Sequence, residues 1–477
     1  MGFIQAIADL GRLDARSGLE SYVKFPLEKG GKIIRVFLEI EDITAEFLRI
    51  KSIKRIDLAE QLSDEQMKTE YLYRDKVGAN VTWGFTPLHK TGKPKGSRDA
   101  NAKDWLGANR DWEKDTKSHL YKIHRRVLMD YEKEGIINAG ASDLIIMQLQ
   151  EQIDNILDVF QGKDSFVILF GADENGNFIY PGKIPAFVKY FESKLLQSLG
   201  KDAQAEHMAS CSLCNQENSG KASLSMVFKF ATMDKVSFLP GLDKKREYSN
   251  FTVCKKCLED VSAGRERVER KLSSTGIVPG LRLWIIPEAV SSEGDEAVKK
   301  TVLRLERLWD EAMLQTLGEK SEERLFREMA KAGSDLVFHF IFWERNNAQE
   351  LVHLMVEDVP PERLALLERK WEQAFKSIMG GEVTKGANLD WAIKSLYATL
   401  SRFAGRSEGD KMVFRDLALK IIGKMLRGEK LPLDTLKQVF VSRSARLIFE
   451  NDHWDEVKRS ILYAQVWCEY IILINRG

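Results

Sequence analysis

The spacing of apolar residues predicts a chain that mixes helices with strands in its first three quarters and contains only helices after that. A short amphipathic helix is expected over residues 3–13, because apolar residues recur there at helical spacing. Strands are expected where β-branched and aromatic residues cluster. The segments with this composition are 32–39, 45–53, 165–170, 281–286, 337–343 and 350–356. The last two are close enough in sequence to form a β-hairpin.

Longer helices are predicted over four further segments with apolar residues at helical spacing. These segments are 99–134, 143–161, 185–199 and 296–317. After the Pro360-Pro361 pair the pattern indicates four or five helices and no strand. The expected fold class is therefore α+β, with several domains. The expected division is a mixed α/β domain (1–206), a cysteine module (207–272), an α/β segment with the hairpin (273–360) and a C-terminal helical bundle (361–477).

Length and composition are typical of a soluble protein with more than one domain. The chain has 477 residues, of which 44% are hydrophobic and 30% charged. No apolar run reaches the roughly 18 residues that a transmembrane helix needs. The N-terminal segment carries an acid within its apolar stretch and lacks a small-residue cleavage site. We therefore expect a cytoplasmic protein without a membrane partner.

Two closely spaced cysteine pairs are the strongest chemical signal. Cys211 and Cys214 enclose two residues, as do Cys254 and Cys257, and 39 residues separate the pairs. Four thiolates on two tight turns are the usual ligands of a tetrahedral structural zinc ion. Such a closed site leaves no position for a catalytic water, so we expect this zinc to stabilise a fold.

Other roles for these thiols are less favoured. Disulfides are typical of secreted proteins, and no secretory segment precedes the module. His207 lies four residues before Cys211 and could replace one thiolate, but the cysteines already supply four ligands. Cys468 lies among apolar residues and is expected to be a buried small hydrophobe.

Familiar catalytic motifs are missing from the sequence. It contains no P-loop and no HExxH segment. A metal-dependent nuclease would need clustered Asp, Glu or His residues, and no spacing supports such a cluster. We therefore expect that the protein is not an enzyme.

Basic residues are concentrated locally although the net charge is only +1. Residues 221–271 hold twelve Lys or Arg and seven Asp or Glu. Residues 90–98 contain four cations and no acid, and Gly92, Pro94 and Gly96 predict a loop there. Such clusters are typical of nucleic-acid backbone contacts, although solvated surface is the alternative for any one of them. The expected DNA-contacting residues are Asn80, Thr82, Lys90, Lys93, Lys95, Arg98, Asn346 and Asn347.

The sequence around the cysteines is specific enough to suggest a family. CSLC is followed by FKFATMDKVSFLPGLDKK and then by NFTVCKKCLEDVSAG. This order of segments resembles the large subunit of a type I-B CRISPR Cascade surveillance complex, in its Csh-type branch. The YLYRD segment at 71–75 and FGADENGNFIYPGKIPAFVKYF at 170–191 are also similar. The resemblance covers most of the chain and is strongest over 165–265.

The resemblance implies a non-catalytic binding protein. It would recognise the protospacer-adjacent motif in target double-stranded DNA, promote duplex opening and R-loop formation, and support recruitment of a separate helicase-nuclease. Its partners would be a crRNA ribonucleoprotein with backbone, crRNA-processing and small subunits. The C-terminal helices resemble the small subunit, which in some systems is made from an internal start; Met355 is the candidate here.

The residues alone leave a second interpretation open. Two CxxC pairs with basic surroundings also fit a zinc-ribbon DNA-binding or transposition-associated factor that acts outside a crRNA complex. The two interpretations differ in whether the protein assembles with RNA and partner subunits.

Overall fold

The structure is a computed structural model that describes most of the chain. It covers residues 2–13, 22–24, 26–27, 31–74, 84–200, 209–218, 224, 227–230, 253–275, 277–290, 295–314, 325–346, 349–382, 386–405, 407–449 and 453–476. Two compact units are present. The cysteine unit comprises Ala15–Val227 and Ala231–Glu259, and the bundle unit comprises Met1–Asp14, Phe228–Phe230 and Asp260–Gly477. The four-segment division expected above stays a prediction.

The described residues form eleven strands and sixteen α-helices. The strands are β1 Lys32–Ile40, β2 Ile50–Glu60, β3 Leu88–Gly92, β4 Phe166–Glu174, β5 Asn177–Ile179, β6 Ala209–Ser210, β7 Glu217–Asn218, β8 Ser273–Ser274, β9 Arg282–Ala289, β10 Leu336–Asn346 and β11 Gln349–Val359. The helices are α1 Gly2–Arg12, α2 Asp64–Glu70, α3 Arg98–Leu106, α4 His119–Ile123, α5 Met129–Lys133, α6 Ala141–Glu151, α7 Ile153–Val159, α8 Pro185–Gly200, α9 Lys255–Lys271, α10 Asp295–Leu314, α11 Leu325–Ala330, α12 Pro361–Met379, α13 Leu389–Phe403, α14 Glu408–Arg427, α15 Leu433–Phe449 and α16 Trp454–Asn475. The mixed α/β fold with C-terminal helices is as predicted.

The cysteine unit is built on a sheet with strand order β2-β1-β4-β3, and β5 pairs with β4. Strands β1 and β4 run parallel, and their other pairings are antiparallel. The apolar run at 165–170, which predicted a strand, lies mostly within β4, an inner strand of this sheet. Its Phe166 and Ile168 pack in one core cluster, whereas Val167 and Leu169 pack in another. A continuous apolar sequence is required because both faces of the strand are covered.

The second predicted strand is displaced in the structure. It was expected over 45–53 and instead begins at Ile50 and extends to Glu60. Leu48 makes a bridge with Ile137 outside the sheet, so its backbone hydrogen bonds are satisfied there. The edge of β2 is then covered by side chains, because Gln148 Oε1 accepts a 2.6 Å bond from the N–H of Ile53.

The bundle unit contains an antiparallel sheet with strand order β11-β10-β9-β8. The predicted hairpin is present as β10 and β11, with both strands longer than expected. Helices α1 and α9 pack together through glycines. A Cβ on Gly264 would lie 1.8 Å from the carbonyl oxygen of Ile7, and one on Gly11 would lie 1.9 Å from that of Asp260. Any side chain at either position would therefore separate the two helices.

The C-terminal helices are α12–α16, and their number agrees with the prediction of four or five. Helices α12 and α16 share an aromatic core. Trp371 lies 5.1 Å, between ring centroids, from both Trp467 and Tyr470. The hydroxyl of buried Tyr470 donates to the carbonyl of Leu367 at 3.1 Å. Hydrogen bonding of this kind allows large amphipathic rings to be buried at low cost. None of the helices in the described ranges has both the length and the apolar character needed to cross a bilayer.

Candidate functional site

The first cysteine pair lies on a tight turn between two short strands. Strands β6 and β7 pair on either side of it. The N–H of Cys211 donates to the carbonyl of Gln216 at 2.9 Å, and the N–H of Asn215 donates to the carbonyl of Cys211 at 2.8 Å. Asn215 has a φ of +58°, a conformation that Asn tolerates better than most residues. The turn thus directs both thiols of the first pair to the same side.

The second pair lies at the start of a long helix that the sequence patterns did not reveal. Cys254 directly precedes α9, and Cys257 lies in its first turn. The N–H of Cys257 donates to the sulfur of Cys254 at 3.4 Å. Free N–H groups at a helix N-terminus stabilise negative charge, which favours the thiolate form of sulfur.

The four sulfur atoms converge on one point. All lie within 4.8 Å of one another, and the Sγ atoms of Cys214 and Cys254 are 3.9 Å apart. Tetrahedral coordination with Zn–S bonds of 2.3 Å requires sulfur separations of about 3.8 Å. Cys211, Cys254 and Cys257 are almost completely buried. The cluster therefore fits a four-coordinate metal ion, and its donor set suits zinc.

Hydrogen bonding prepares one of these thiols for metal binding. Burial raises the pKa of Cys211, but N–H groups including those of Cys254 and Cys214 outweigh it and lower the pKa to about 7. The N–H of Cys254 lies 3.3 Å from the Cys211 sulfur. Burial raises the pKa of Cys257 instead. Because metal ligands must be thiolates, a bound cation is needed to hold all four sulfurs deprotonated together. His207 lies outside the described residues.

A second group of metal-ligand side chains lies at one end of the bundle-unit sheet. It consists of Glu288, His339 and Asp358, and the imidazole is fully buried. The backbone N–H of Asp358 donates to His339 Nδ1 at 3.3 Å, so the ring proton belongs on Nε2, 2.5 Å from the Glu288 carboxylate. A metal bound at Nε2 would shift that proton to Nδ1, opposite another N–H. The group is therefore a hydrogen-bonded histidine–carboxylate pair.

The basic segment expected over 90–98 differs from the prediction at its start. Lys90 lies in strand β3, where its register partner in β4 is Val167. The loop prediction was wrong here, because Thr91 turns inward and its hydroxyl donates to the carbonyl of Phe166 at 2.9 Å. The ammonium of Lys90 lies 4.6 Å from the ring centroid of Tyr73.

Acids from elsewhere in the cysteine unit contact two of the other cations. Lys95 Nζ lies 2.6 Å from Asp104 Oδ1. Arg98 pairs with Asp154 at 2.9 Å and also with Asp158. Lys93 is exposed and has no ion pair within the part of the chain that the structure describes. Nearby acids therefore partly neutralise the positive charge that the sequence of this segment suggests.

The expected DNA-contacting residues outside this segment are only partly placed. Asn80 and Thr82 lie outside the described residues, as does Asn347. Asn346 is the last residue of β10, at the end of the hairpin. The DNA-contacting role of all eight residues stays a prediction.

A buried charge network that sequence reasoning missed holds this hairpin. The guanidinium of Arg265 on α9 contacts Glu350 of β11 and Glu269, the latter at 2.6 Å. Glu350 also accepts a 2.8 Å hydrogen bond from the N–H of Lys229. The side chains of Arg265 and Glu350 are each 5% exposed. An acid two residues after a hairpin turn resembles ordinary solvated surface, so the sequence carried no signal for this contact.

Comparison with known families gives a match over part of the chain. Residues 208–359 match the family model of the CRISPR-associated protein TM1802 central domain. No curated protein matches the chain. The matched region contains both cysteine pairs and the β10–β11 hairpin. The match supports a CRISPR-associated protein.

Proposed function

We propose that the protein is the non-catalytic large subunit of a crRNA-guided type I-B Cascade complex. In this role it recognises the protospacer-adjacent motif in target double-stranded DNA, promotes duplex opening and supports recruitment of the helicase-nuclease. The family match over residues 208–359 is the observation that carries the proposal. The resemblance of the 71–75 and 170–191 segments extends it beyond the matched region.

The proposed role requires few contacts between the protein and the DNA bases. In guided complexes RNA–DNA pairing reads the target sequence, and the protein needs only a short direct readout plus backbone contacts. A few available cations, such as Lys93, are then sufficient, because most of the specificity comes from the guide. A zinc-ribbon factor that acts alone would need a larger basic surface.

The absence of a cutting activity is part of the proposal. A four-sulfur site leaves no coordination position for water. In the second cluster, the Nε2–H of His339 is hydrogen-bonded to the Glu288 carboxylate. Purified chain is therefore expected to leave DNA intact in the presence of Mg²⁺ or Mn²⁺. Hydrolysis that persists through purification and is abolished in the Glu288→Gln variant would contradict the proposal.

Purification from native cells tests the assembly. A tagged chain is expected to recover short RNAs that share one constant end, together with partner subunits. A matched preparation treated with ribonuclease during lysis controls for assembly that depends on RNA. Recovery of the chain without RNA or partner subunits would favour the zinc-ribbon factor instead.

The small-subunit-like part can be tested separately. Met355 lies in β11, and helices α12–α16 follow it. We expect a second product that spans Met355 to Gly477 in the purified complex. The Met355→Leu variant should remove this product and keep the full-length chain. Its persistence would exclude Met355 as the start.

A further inference from the structure

One edge strand of the cysteine-unit sheet is covered along only half of its length. Strand β2 pairs with β1 on one side, and no other described strand pairs with it. In its first half, the N–H of Ile50 donates to Asn138 Oδ1 at 2.7 Å, and the N–H of Ile53 donates to Gln148 Oε1 at 2.6 Å. These side chains close the first half to another strand. Among the described residues, no side chain covers the second half in this way.

The hydrogen bonds with β1 show which residues of the second half point outward. The N–H of Gln61 donates to the carbonyl of Gly31 at 3.2 Å, directly beside the register pair of Lys32 with Glu60. Hydrogen-bonded and non-hydrogen-bonded pairs alternate along an antiparallel ladder. The register is unbroken from Glu60 back to Arg55, so every second residue before Gln61 bonds to β1. The residues between them direct their N–H and C=O groups away from β1; they are Ile56, Leu58 and Glu60.

The outward backbone groups of Ile56, Leu58 and Glu60 form an open edge. Within the part of the chain that the structure describes, no hydrogen bond reaches them. Unpaired edges attract other strands, and proteins usually blunt them with charges, bulges or covering segments. Ile56 and Leu58 are apolar and pack against the core beside the sheet, and Asp57 between them is paired with Arg35 at 2.7 Å. The first two positions of the open edge therefore carry no charge that would repel a strand.

An extended protein segment has the chemistry that this edge requires. Its N–H and C=O groups alternate with the same spacing, whereas a phosphate backbone offers acceptors and no donors. Side chains of the segment that lie beside Ile56 and Leu58 would extend an apolar surface. Lys54 and Arg55 precede the open edge, and their side chains are 49% and 52% exposed. An acidic residue therefore fits the end of the segment that meets these two cations.

We propose that the open edge of β2 binds an extended segment of a partner protein as an added β-strand. The segment is apolar where it passes Ile56 and Leu58 and acidic where it meets Lys54 and Arg55. The inference rests on the proposed function, because the partner is a protein subunit of the guided complex. Main-chain hydrogen bonds give such a contact its affinity, and alternate side chains give it specificity.

Site-resolved hydrogen exchange tests this contact on the unmodified protein. The full chain is measured alone and in the complex purified from native cells, with fragmentation that separates neighbouring amides. Assembly should slow exchange at Ile56, Leu58 and Glu60 by about tenfold or more, the change expected when hydrogen bonds of ordinary strength form. The amides of Asp57 and Ala59 already bond to β1 and should be slow in both samples. This alternation distinguishes strand addition from simple burial of the surface.

A proline variant removes one outward donor. Leu58→Pro deletes the N–H of Leu58 and leaves the bonds of Asp57 and Ala59 to β1 in place, and proline is tolerated at such positions of edge strands. It should lower the recovery of partner subunits with the tagged chain by about tenfold or more, because a hydrogen bond is lost and the ring obstructs the added strand. Leu58→Val keeps the donor and should behave like the wild type. A thermal melt of each variant checks that the unit is folded.

Charge reversal tests the acidic part of the partner segment. Lys54→Glu should weaken the recovery of partner subunits by about 2- to 5-fold, because like charges on neighbouring strands repel. Lys51→Glu changes an exposed lysine in the covered half of β2 and is the matched control. It should leave the recovery unchanged. Equal effects of the two variants would contradict the assignment of an acidic residue to this end.

Four results would overturn the inference. They are unchanged exchange of the three outward amides on assembly, full recovery of partner subunits with folded Leu58→Pro, and slow exchange in the isolated chain at low or only at high concentration. Slow exchange at low concentration would show that the chain covers its own edge, and slow exchange only at high concentration would assign the edge to a second copy. The inference fails alone if the complex assembles with these amides unprotected. If the chain is recovered without RNA or partner subunits, the proposed function fails as well.

Discussion

The cysteine cluster and the basic segment were both conspicuous in the sequence, but only the cysteine cluster has the arrangement in the structure that its sequence predicted. The four cysteine sulfurs converge with separations that suit a metal ion. The cations of the basic segment are instead largely engaged by the protein itself, since Lys95 and Arg98 contact three aspartates. The cysteine cluster therefore fits a bound metal ion, whereas acids of the protein partly neutralise the basic segment.

The difference follows from how each signal is encoded. A CxxC pair places two sulfurs close together through the geometry of a single turn, so the spacing in the sequence largely determines the distance between those two sulfurs. A charged segment has no such internal constraint. Asp154 and Asp158 lie more than fifty residues after Arg98, and only the fold brings them together.

Loss of a cysteine should have the largest effect. Cys257→Ser removes one of four ligands and should abolish stoichiometric zinc binding, because structural zinc contributes about 10–16 kcal/mol of apparent binding free energy in small peptides. The cysteine module should then be cleaved rapidly by trypsin. Metal analysis by mass spectrometry and limited proteolysis provide the measurements. Cys468→Ser, on α16, is the matched control and should leave the metal content unchanged.

The buried network at the hairpin should come next. Arg265→Met removes the guanidinium that Glu269 and Glu350 share inside the protein, and breaking a buried pair typically costs about 3–5 kcal/mol. Urea denaturation measures this change. Lys331→Met breaks the exposed pair with Glu328 and should change stability by less than about 1 kcal/mol. Equal effects of the two variants would show that burial does not distinguish these pairs.

A buried acid in the bundle extends the comparison to pH. Burial raises the pKa of Asp390 to about 8, although the N–H of Phe326 donates to its carboxylate. The folded pKa is above the ordinary value, so this group's contribution to stability is present at low pH and is lost as the pH rises towards 8. Asp390→Asn should remove this pH dependence from the free energy of unfolding. Parallel pH profiles for the variant and the wild type would contradict the assignment.

The smallest effect is expected at the basic segment. Asp154→Asn combined with Asp158→Asn should release Arg98 and steepen the salt dependence of duplex binding by about 0.9 per added phosphate contact. Lys93→Ala should reduce the slope by a similar amount. Lys163→Ala, an exposed cation of the same unit, serves as the control. If neither the double aspartate variant nor Lys93→Ala changes the salt-dependence slope, this segment is not part of the DNA interface.

Much of the fold could be predicted from local pattern. Strand β4 buries a continuous apolar run, and helix α16 buries apolar residues at helical spacing, so both could be predicted from the local sequence. Strand β3 was missed because its LHKTG sequence is mostly polar and depends on pairing with β4. Helix α9 was missed because its sequence, KKCLEDVSAGRERVERK, is highly charged and contains a glycine.

The site could be predicted only where spacing fixes geometry. The cysteines were found because four soft ligands in two pairs have few other uses. Arg265 and Glu350 could not be paired from sequence, since they are 85 residues apart and each resembles a solvated charge.

The most direct test of the central claim is binding of a matched DNA duplex by the guide-RNA complex assembled with and without this chain. With the chain present, we predict tight binding to only some of the duplexes in a library with randomised flanking sequence, and no cleavage. Without the chain, this preference for particular flanks should disappear. Equal binding and an unchanged flank preference in its absence would contradict the account.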